Sequence, residues 1–550
     1  MDTPVLIVGA GPAGMTCALL LSGLGIPCRL IERRATPQTA PAAHVVNART
    51  FEIFRAAGVD MRAIAAACQD PADAGQVLWV TTLAGEELGR LPFERQGDEV
   101  LAFTPTPLRS LSQHHLEPIL LDELRRRANI DIAYGHEWES AESDRGGVTS
   151  RIRDHAGGVI YDVRSRWLIA ADGAASLVRK HLGIVPIGPD RLQSFVMVHF
   201  EANLRALVGH RPGVLYWTTA PGATGAFVAH DIDSTWVYMH PWDPDRESAA
   251  DYSPAVCADI VRRALGTDEH PFAIRTIRAW TMTAQVAERY RAQRTFLVGD
   301  AAHRFPPTGG LGLNTGVQDA HNLVWKIAAV EAGWAGDALL DTYEAERRPV
   351  AQHNADVSLH NAMRLGEVYQ ALAASAGRAD GTVPPARSDA VRAAIANQAE
   401  HFDMLGLQLG FAYESGALAA DGIQRPAHSG SVRDYVPSAT PGARVPHAWV
   451  TRAGARLSTL DLFPYDRFTL VAGPAGEAWT TAASGSVPIE CVVIGRDVVD
   501  GGGHWTRLLG IDAVGAVLVR PDQHVAWRAS HAVADACAAL ARALAEILPG

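Results

Sequence analysis

Apolar and polar positions alternate along this chain in two rhythms. A continuous apolar run, Val5 to Val8, has the length of a strand buried on both faces. A second run, Met15 to Leu24, has helical length, and a third, Cys28 to Ile31, is again strand-like and ends in Glu32. Strand, helix and strand in that order predict a βαβ unit with a parallel sheet. Asn47 to Ala57 predicts a helix with Phe51 and Phe54 at i, i+3 spacing and Gly58 as its stop. Val77 to Leu83 and Glu87 to Leu91 predict strands, and 110–128 a helix with an apolar stripe. Ile130 to Tyr134, Gly147 to Asp154, Val159 to Val163 and Trp167 to Ala171 read as further strands.

Period-two alternation then runs through Gln193 to Leu204, Gly213 to Thr219, Ala226 to His230 and Thr235 to Pro241. It predicts a mainly antiparallel sheet inserted into the first unit. Most of its aromatic residues are expected in the core. One face is expected to floor an apolar pocket, with Tyr216, Phe227 and Tyr238 as substrate contacts. A strand, Thr295 to Val298, precedes a helix from about Asn314 to Ala332, and 340–425 reads as largely helical, broken by GRADGTVPPARSD. From about 430 the texture changes. FTLVAG, IECVVIG and GAVLVRPDQHVAWRA predict strands, the last a hairpin around Pro521-Asp522, with a closing amphipathic helix from Ser530 to Leu548. The domain reading is therefore a discontinuous nucleotide-binding domain (1–190 and 280–345), a β-sheet substrate domain (191–279), a helical region (346–425) and a compact α/β domain (430–550).

Composition narrows the class. The chain has 550 residues, 48% apolar and 20% charged, as expected of a soluble protein of two or three domains. No apolar run has membrane-spanning length, and the chain opens in a strand rather than a signal peptide, so a cytoplasmic protein is expected. A net charge of −11 gives no support to nucleic-acid binding. The six cysteines are scattered without a CxxC, and His114 and His115 have no third ligand at metal-site spacing, so no metal is expected. The pair is read as solvent-facing or packing residues.

Three motifs carry chemistry. Gly9, Gly11 and Gly14 stand at GxGxxG spacing between strand and helix. The first glycine permits the tight turn, the second lets the backbone approach a pyrophosphate, and the third allows close helix packing. The unpaired N–H groups at the helix start face the phosphates, and Glu32 is placed to accept ribose hydroxyls. The second motif is DGAASLVR, with Asp172 and Gly173, and the third is GDAAH followed by PPTGGLGLN, with Asp300. Gly310 and Gly312 let that loop lie against something flat, such as a flavin ring, with a helix N-terminus aimed at it.

Together the three motifs resemble the single-component FAD-dependent aromatic hydroxylases, the p-hydroxybenzoate and phenol hydroxylase family. HVVNARTFEIFRAAG and GLGLNTGVQDAHNLVWKI are similar to chlorophenol and phenol monooxygenases and to polyketide-tailoring hydroxylases. The resemblance spans essentially the whole chain. It implies a Rossmann-like α/β FAD domain with an inserted antiparallel sheet and a thioredoxin-like C-terminal domain without a redox CxxC. It implies that Gly9, Gly11, Ala13 and Gly14 hold the FAD pyrophosphate, Glu32 the ribose and Arg33 the adenine side. Arg49, Gln113, Asp172 and Gly173 match further cofactor-contact positions. Asp300 would bind the ribityl hydroxyls, and Pro307, Gly312, Leu313 and Asn314 would line the flavin. No second GxGxxG is present, consistent with NADPH or NADH docking transiently.

The activity so implied is hydroxylation of a phenolic ring, ortho or para to its hydroxyl, with NAD(P)H and O2 and by way of a flavin hydroperoxide. A polycyclic polyketide is the alternative substrate, and a homodimer is compatible with the resemblance. Two rival readings are a flavin-dependent halogenase and a non-catalytic flavoprotein redox sensor. The halogenases use an active-site lysine, and the chain has only Lys180 and Lys326, neither placed for that role. His44 stands where the phenol hydroxylase branch has an acid acting on the substrate hydroxyl. Together with Pro307 it is the candidate catalytic and substrate-contacting residue. A free phenol has a pKa of about 10 and histidine one of about 6.5, so neutral His44 can take or share the phenolic proton.

Overall fold

The computed structural model describes residues 2–375, 385–423 and 431–549. Most of the loop expected at GRADGTVPPARSD, and the expected domain boundary near 425–430, lie outside them.

Four parallel strands centre the first unit, in the spatial order Thr295–Leu297, Val159–Ala170, Thr3–Val8 and Cys28–Glu32, with Ile130–Tyr134 parallel at the far edge. The glycine-rich turn leaves Val8 and enters the helix Pro12–Gly23, three residues ahead of the expected start at Met15. Proline at the first helical position explains the early start, since its fixed φ suits the helix and its missing N–H is not needed there. The two strands expected at 159–163 and 167–171 are one strand, Val159–Ala170. Its first half pairs antiparallel with Gly147–Asp154 and its second half parallel with Thr3–Val8. The strand His136–Asp144 went unread because its sequence, HEWESAESD, is polar at most positions; it pairs with Gly147–Asp154 and buries Trp138 in the first core.

The second sheet has seven strands, in the order Ala273–Met282, Gln193–Glu201, Thr235–Trp242, Gly225–Asp231, Leu215–Thr218, Gln76–Val80 and Glu87–Pro92. The last two come from ahead of the insertion, and Leu215–Thr218 pairs parallel with Gln76–Val80. Register decides which aromatics face where. Tyr216 pairs with Phe227 and Phe227 with Tyr238, so all three lie on one face. That face packs on the helix Pro254–Leu265, against Cys257, Ile260 and Val261. Tyr216, Phe227 and Tyr238 are fully buried there, and the two hydroxyls donate to the carbonyls of Arg211 and Ala223. The expectation that these three contact substrate is therefore corrected: they are core. The opposite face, one residue out of phase, carries Trp217, Val228, His230 and Met239 toward the first unit.

In the C-terminal unit the strands Ile489–Val493, Phe468–Ala472, Ala516–Val519 and Val525–Ala529 form a mixed sheet, and the expected hairpin is its last pair. The closing helix is Ala536–Ile547, capped by Asp535, and is shorter than the expected 530–548. Buried ions tie this unit to the rest. Glu52, on the helix Ala48–Ala56, accepts from Arg49 and, through both oxygens, from Arg444. Glu346 accepts from Arg520 and Lys326, and Arg520 also grips Asp522. All of these side chains are 0–1% exposed. Burial lowers Lys326 to about 8, with the Glu346 charge opposing the drop. Lys326 is thus part of the core.

Candidate functional site

The glycines of the first motif fall into two kinds. Gly9 has φ 106°, and a Cβ there would lie 2.2 Å from the Ala171 carbonyl oxygen. A Cβ on Gly14 would lie 2.0 Å from the carbonyl oxygen of Gly9. The protein's own packing requires both. Gly11 differs: its φ of −80° suits any residue, and no described protein atom lies within 4 Å of where its Cβ would be. The backbone is bare at the start of a helix whose first N–H groups have no intrahelical acceptor. Such a cradle fits a pyrophosphate, which Gly11 and Ala13 would approach by their main chain.

Glu32 ends its strand beside this turn. One carboxylate oxygen accepts the Ala10 N–H at 2.9 Å; the other accepts the N–H and Nε of Arg34, each at 3.0 Å. Burial alone would raise its pKa, but the bonds from Arg34 and Ala10 prevail and lower it. The carboxylate stays anionic with lone pairs to spare for a ribose. Arg33, by contrast, points to solvent.

The other two motifs converge on the same turn. Asp172 accepts from the Oγ of Ser176, the N-cap of the short helix Leu177–His181, and from the Val178 N–H, while burial raises its pKa. Arg179 on that helix donates to the Ala301 carbonyl and joins the second motif to the third. A Cβ on Gly299 would stand 3.1 Å from Ala13 Cβ, which sets Asp300 beside the first helix start. The Asp300 carboxylate makes no hydrogen bond with any described residue, and it is open to solvent between the buried Gly299 and Ala301. Its pKa is nonetheless raised by the surrounding protein, against the opposing charges of His303 and Arg304. An unpartnered, solvent-open carboxylate fits a row of sugar or ribityl hydroxyls.

The PPTGGLGLN loop feeds the helix Leu311–Glu331. Pro307 is exposed, and its carbonyl accepts the Gly310 N–H at 3.0 Å. Gly310 has φ 63°, and a Cβ would lie 2.6 Å from Val45 Cβ, so the loop lies directly on the strand beginning one residue after His44. At Gly312 nothing described lies within 4 Å of the Cβ position, the same bareness seen at Gly11. Leu313 is half-buried against the first core. Asn314 was expected to line the flavin; its side chain is fully spent, which leaves its main chain for that part. It accepts from the Asn47 N–H and Thr50 Oγ1 and donates to the Val45 and Gly310 carbonyls. It ties the loop to the His44 segment.

Arg49 was expected among the cofactor contacts, and this too is corrected. Its guanidinium is 1% exposed and is spent on Glu52, Gln523 and the Asp522 carbonyl. Its charge is taken up by ions of the domain junction. Gln113 starts the helix Gln113–Arg125, and its side chain donates to Glu117.

His44 sits where the loop, the second sheet and the Gln113 helix meet. Its ring stacks on Phe93 at 6.5 Å and meets His230 edge-on at 5.4 Å. Its Nδ1 lies 3.4 Å from Ser110 Oγ, and Nε2 makes no bond with a described residue. Burial pushes its pKa down to about 4, so the ring is neutral at physiological pH. The sequence reading missed the residues around it: Gln69, Phe93, Ser110, Ser112 and His230. His114, read as solvent-facing or packing, in fact shares Ser112 Oγ with His230, at 2.6 and 2.9 Å. The one available signal was the polar cluster SLSQHH before an apolar helix.

Comparison with known proteins settles the family. Residues 2–358 match a family described as FAD binding domain, and residues 438–549 one described as aromatic-ring hydroxylase, C-terminal. The chain is an FAD-dependent aromatic-ring hydroxylase. This hydroxylase is 36% identical to the 2,4-dichlorophenol 6-monooxygenase of Delftia acidovorans, over 96% of this chain and 95% of that one. It is 37% identical to a putative polyketide hydroxylase of Streptomyces halstedii, over 96% and 94%. Among solved structures, the flavin-dependent monooxygenase PieE, in complex with FAD and substrate, superposes with a TM-score of 0.92 at 37% identity, covering 100% of the hydroxylase and 99% of PieE. Among the described residues, no helix is long and apolar enough to cross a membrane.

Proposed function

We propose that this hydroxylase places one oxygen atom on a phenolic ring, drawing electrons from NAD(P)H and the oxygen from O2. When bound, FAD supplies the hydride acceptance and oxygen activation that the side chains lack. The main chain of Gly11 and Ala13 would hold its pyrophosphate, Glu32 the ribose and Asp300 the ribityl hydroxyls, and the main chain at Gly312 and Leu313 would line the flavin.

The observation that carries the phenol reading is His44, neutral and with an unpaired Nε2, on the segment clamped to the PPTGGLGLN loop. Nε2 accepts the substrate O–H. With His44 near 4 and a free phenol near 10, complete transfer to an isolated imidazole would cost ~8 kcal/mol, so His44 shares the proton rather than keeping it. Sharing still pushes electron density into the ring at the positions ortho and para to oxygen. Phe93 and His230 pack against the His44 ring and shield it from solvent.

His44→Ala tests the reading, with FAD binding confirmed. Hydroxylation is expected to fall, NADPH oxidation to run on to hydrogen peroxide, and more acidic phenols to be partly rescued. Wild-type coupling and rate across phenols of different pKa would refute it. A polycyclic polyketide is the second reading, favoured by the putative polyketide hydroxylase relative. A screen following NAD(P)H oxidation with phenols of increasing ring number separates the two.

A further inference from the structure

His44 is held by a chain of hydrogen bonds whose polarity can be read from one end. Gln69 approaches the Ala229 carbonyl oxygen at 2.9 Å. A carbonyl only accepts, so the amide nitrogen of Gln69 must face it, and the amide oxygen must face the other way. That oxygen lies 2.5 Å from Ser110 Oγ. The Ser110 hydroxyl has one proton, and Gln69 Oε1 takes it. Only a lone pair is left on Ser110 Oγ for His44 Nδ1, at 3.4 Å. Nδ1 therefore carries the imidazole proton and Nε2 the lone pair. The main chain braces the same geometry: the Gln69 N–H donates to the Ser110 carbonyl, the Leu111 N–H donates to the His44 carbonyl, and Val45 pairs with Ser110.

We infer that Gln69 is a positioning residue which, through Ser110, locks His44 in the Nδ1–H tautomer and so aims an acceptor nitrogen at the substrate hydroxyl. This rests on the proposal that His44 meets that hydroxyl. Histidine in water prefers the opposite tautomer, with the proton on Nε2, which would present a donor to the phenol and oppose loss of its proton. Gln69 lies in the loop after the helix Met61–Ala67, remote in sequence from every motif.

The test is nitrogen-15 NMR of the FAD-loaded, histidine-labelled protein, with the His44 signals identified by their loss in His44→Asn. The wild type should show a protonated Nδ1 and an unprotonated Nε2. In Gln69→Leu the Ser110 hydroxyl is free to turn and donate to Nδ1, so the proton should move to Nε2. The hydroxylation rate should fall roughly tenfold or more, with unchanged FAD affinity. Ser110→Ala should act in the same direction, and Ser110→Thr, which keeps the hydroxyl, should restore both tautomer and rate. A wild-type ring protonated on Nε2, or a Gln69→Leu ring still protonated on Nδ1, overturns the inference. The wild-type spectrum alone decides if a variant fails to fold. Should the tautomer be locked as stated while His44→Asn hydroxylates at the wild-type rate, the lock stands and the phenol reading falls.

Discussion

Glu52 offers the sharpest test of how the C-terminal unit is held. Its carboxylate accepts Arg444 Nε and Nη2 at 2.9 and 2.6 Å, Arg49 Nη1 at 3.0 Å and Thr104 Oγ1 at 2.6 Å. Burial would raise its pKa, yet the charges of Arg444 and Arg49 bring it from 4.5 down to about 2. That drop corresponds to ~3 kcal/mol of folding stability at neutral pH. Because the folded value lies below the unfolded one, this stability is complete above pH 4.5 and is lost as pH falls toward 2. Glu52→Gln removes the charge and leaves two buried guanidinium groups under-neutralised, a loss of about 3–5 kcal/mol. The assay is urea unfolding of the FAD-saturated enzyme followed by circular dichroism, in a double-mutant cycle with Arg444→Met. The double variant should lose less than the sum of the two single variants, because each single variant strands the partner's charge. A loss below about 1 kcal/mol for Glu52→Gln, or strict additivity, would refute the account.

Three further outcomes are expected. Gly11→Ala should fold normally, since nothing described is near its Cβ, but lose FAD affinity, whereas Gly14→Ala should destabilise the fold itself; thermal unfolding beside flavin titration separates the two. Asp300→Ala should weaken FAD roughly tenfold or more, as measured by ultrafiltration, since hydrogen bonds to a charged group contribute about 1.5–3 kcal/mol; unchanged affinity would mean a merely local turn residue. Glu94 is raised to about 7 by burial while it accepts from the Met404 N–H and Gln408, so the stability it contributes falls as pH rises from the carboxylate range through 7, and Glu94→Gln should flatten that slope in unfolding midpoints taken from pH 5 to 8.

The parallel unit was legible because its strands are buried on both faces and its glycines answer to steric rules that act over a few residues. Face assignment in the second sheet was less so. Tyr216 and Trp217 are neighbours of similar character, and only the helix Pro254–Leu265, supplied from elsewhere, decides which of them is core. The cofactor motifs were readable as motifs, but roles within them depended on partners far away in sequence. Arg49 looks like a binding arginine until Asp522 and Gln523 close on it. Asn314 looks like a side-chain contact for the flavin until Asn47 and Thr50 claim its oxygen. The bracing of His44 by Gln69 and Ser110 has no local pattern, because a hydrogen-bond chain that joins residues 44, 69, 110 and 229 leaves no periodicity.

The junction ions also set an order of events at the ribosome. Glu52 and Arg444 are separated by 392 residues, and Arg49 and Gln523 by 474. At about 5–20 residues per second, roughly 20–80 s pass between the synthesis of Glu52 and that of Arg444. By the end of that interval the emerging chain has all the strands of its nucleotide unit, completed at Thr295–Leu297, but still lacks Arg444 to share the charge of Glu52. Arg49 and Glu52 have only each other and Thr104 until the last fifth of the chain brings Arg444, and Gln523 follows later still. The first segment to be made is thus among the last to reach its final state, and a nascent chain stalled before residue 444 should expose the Ala48–Ala56 helix to proteases that leave the released protein intact.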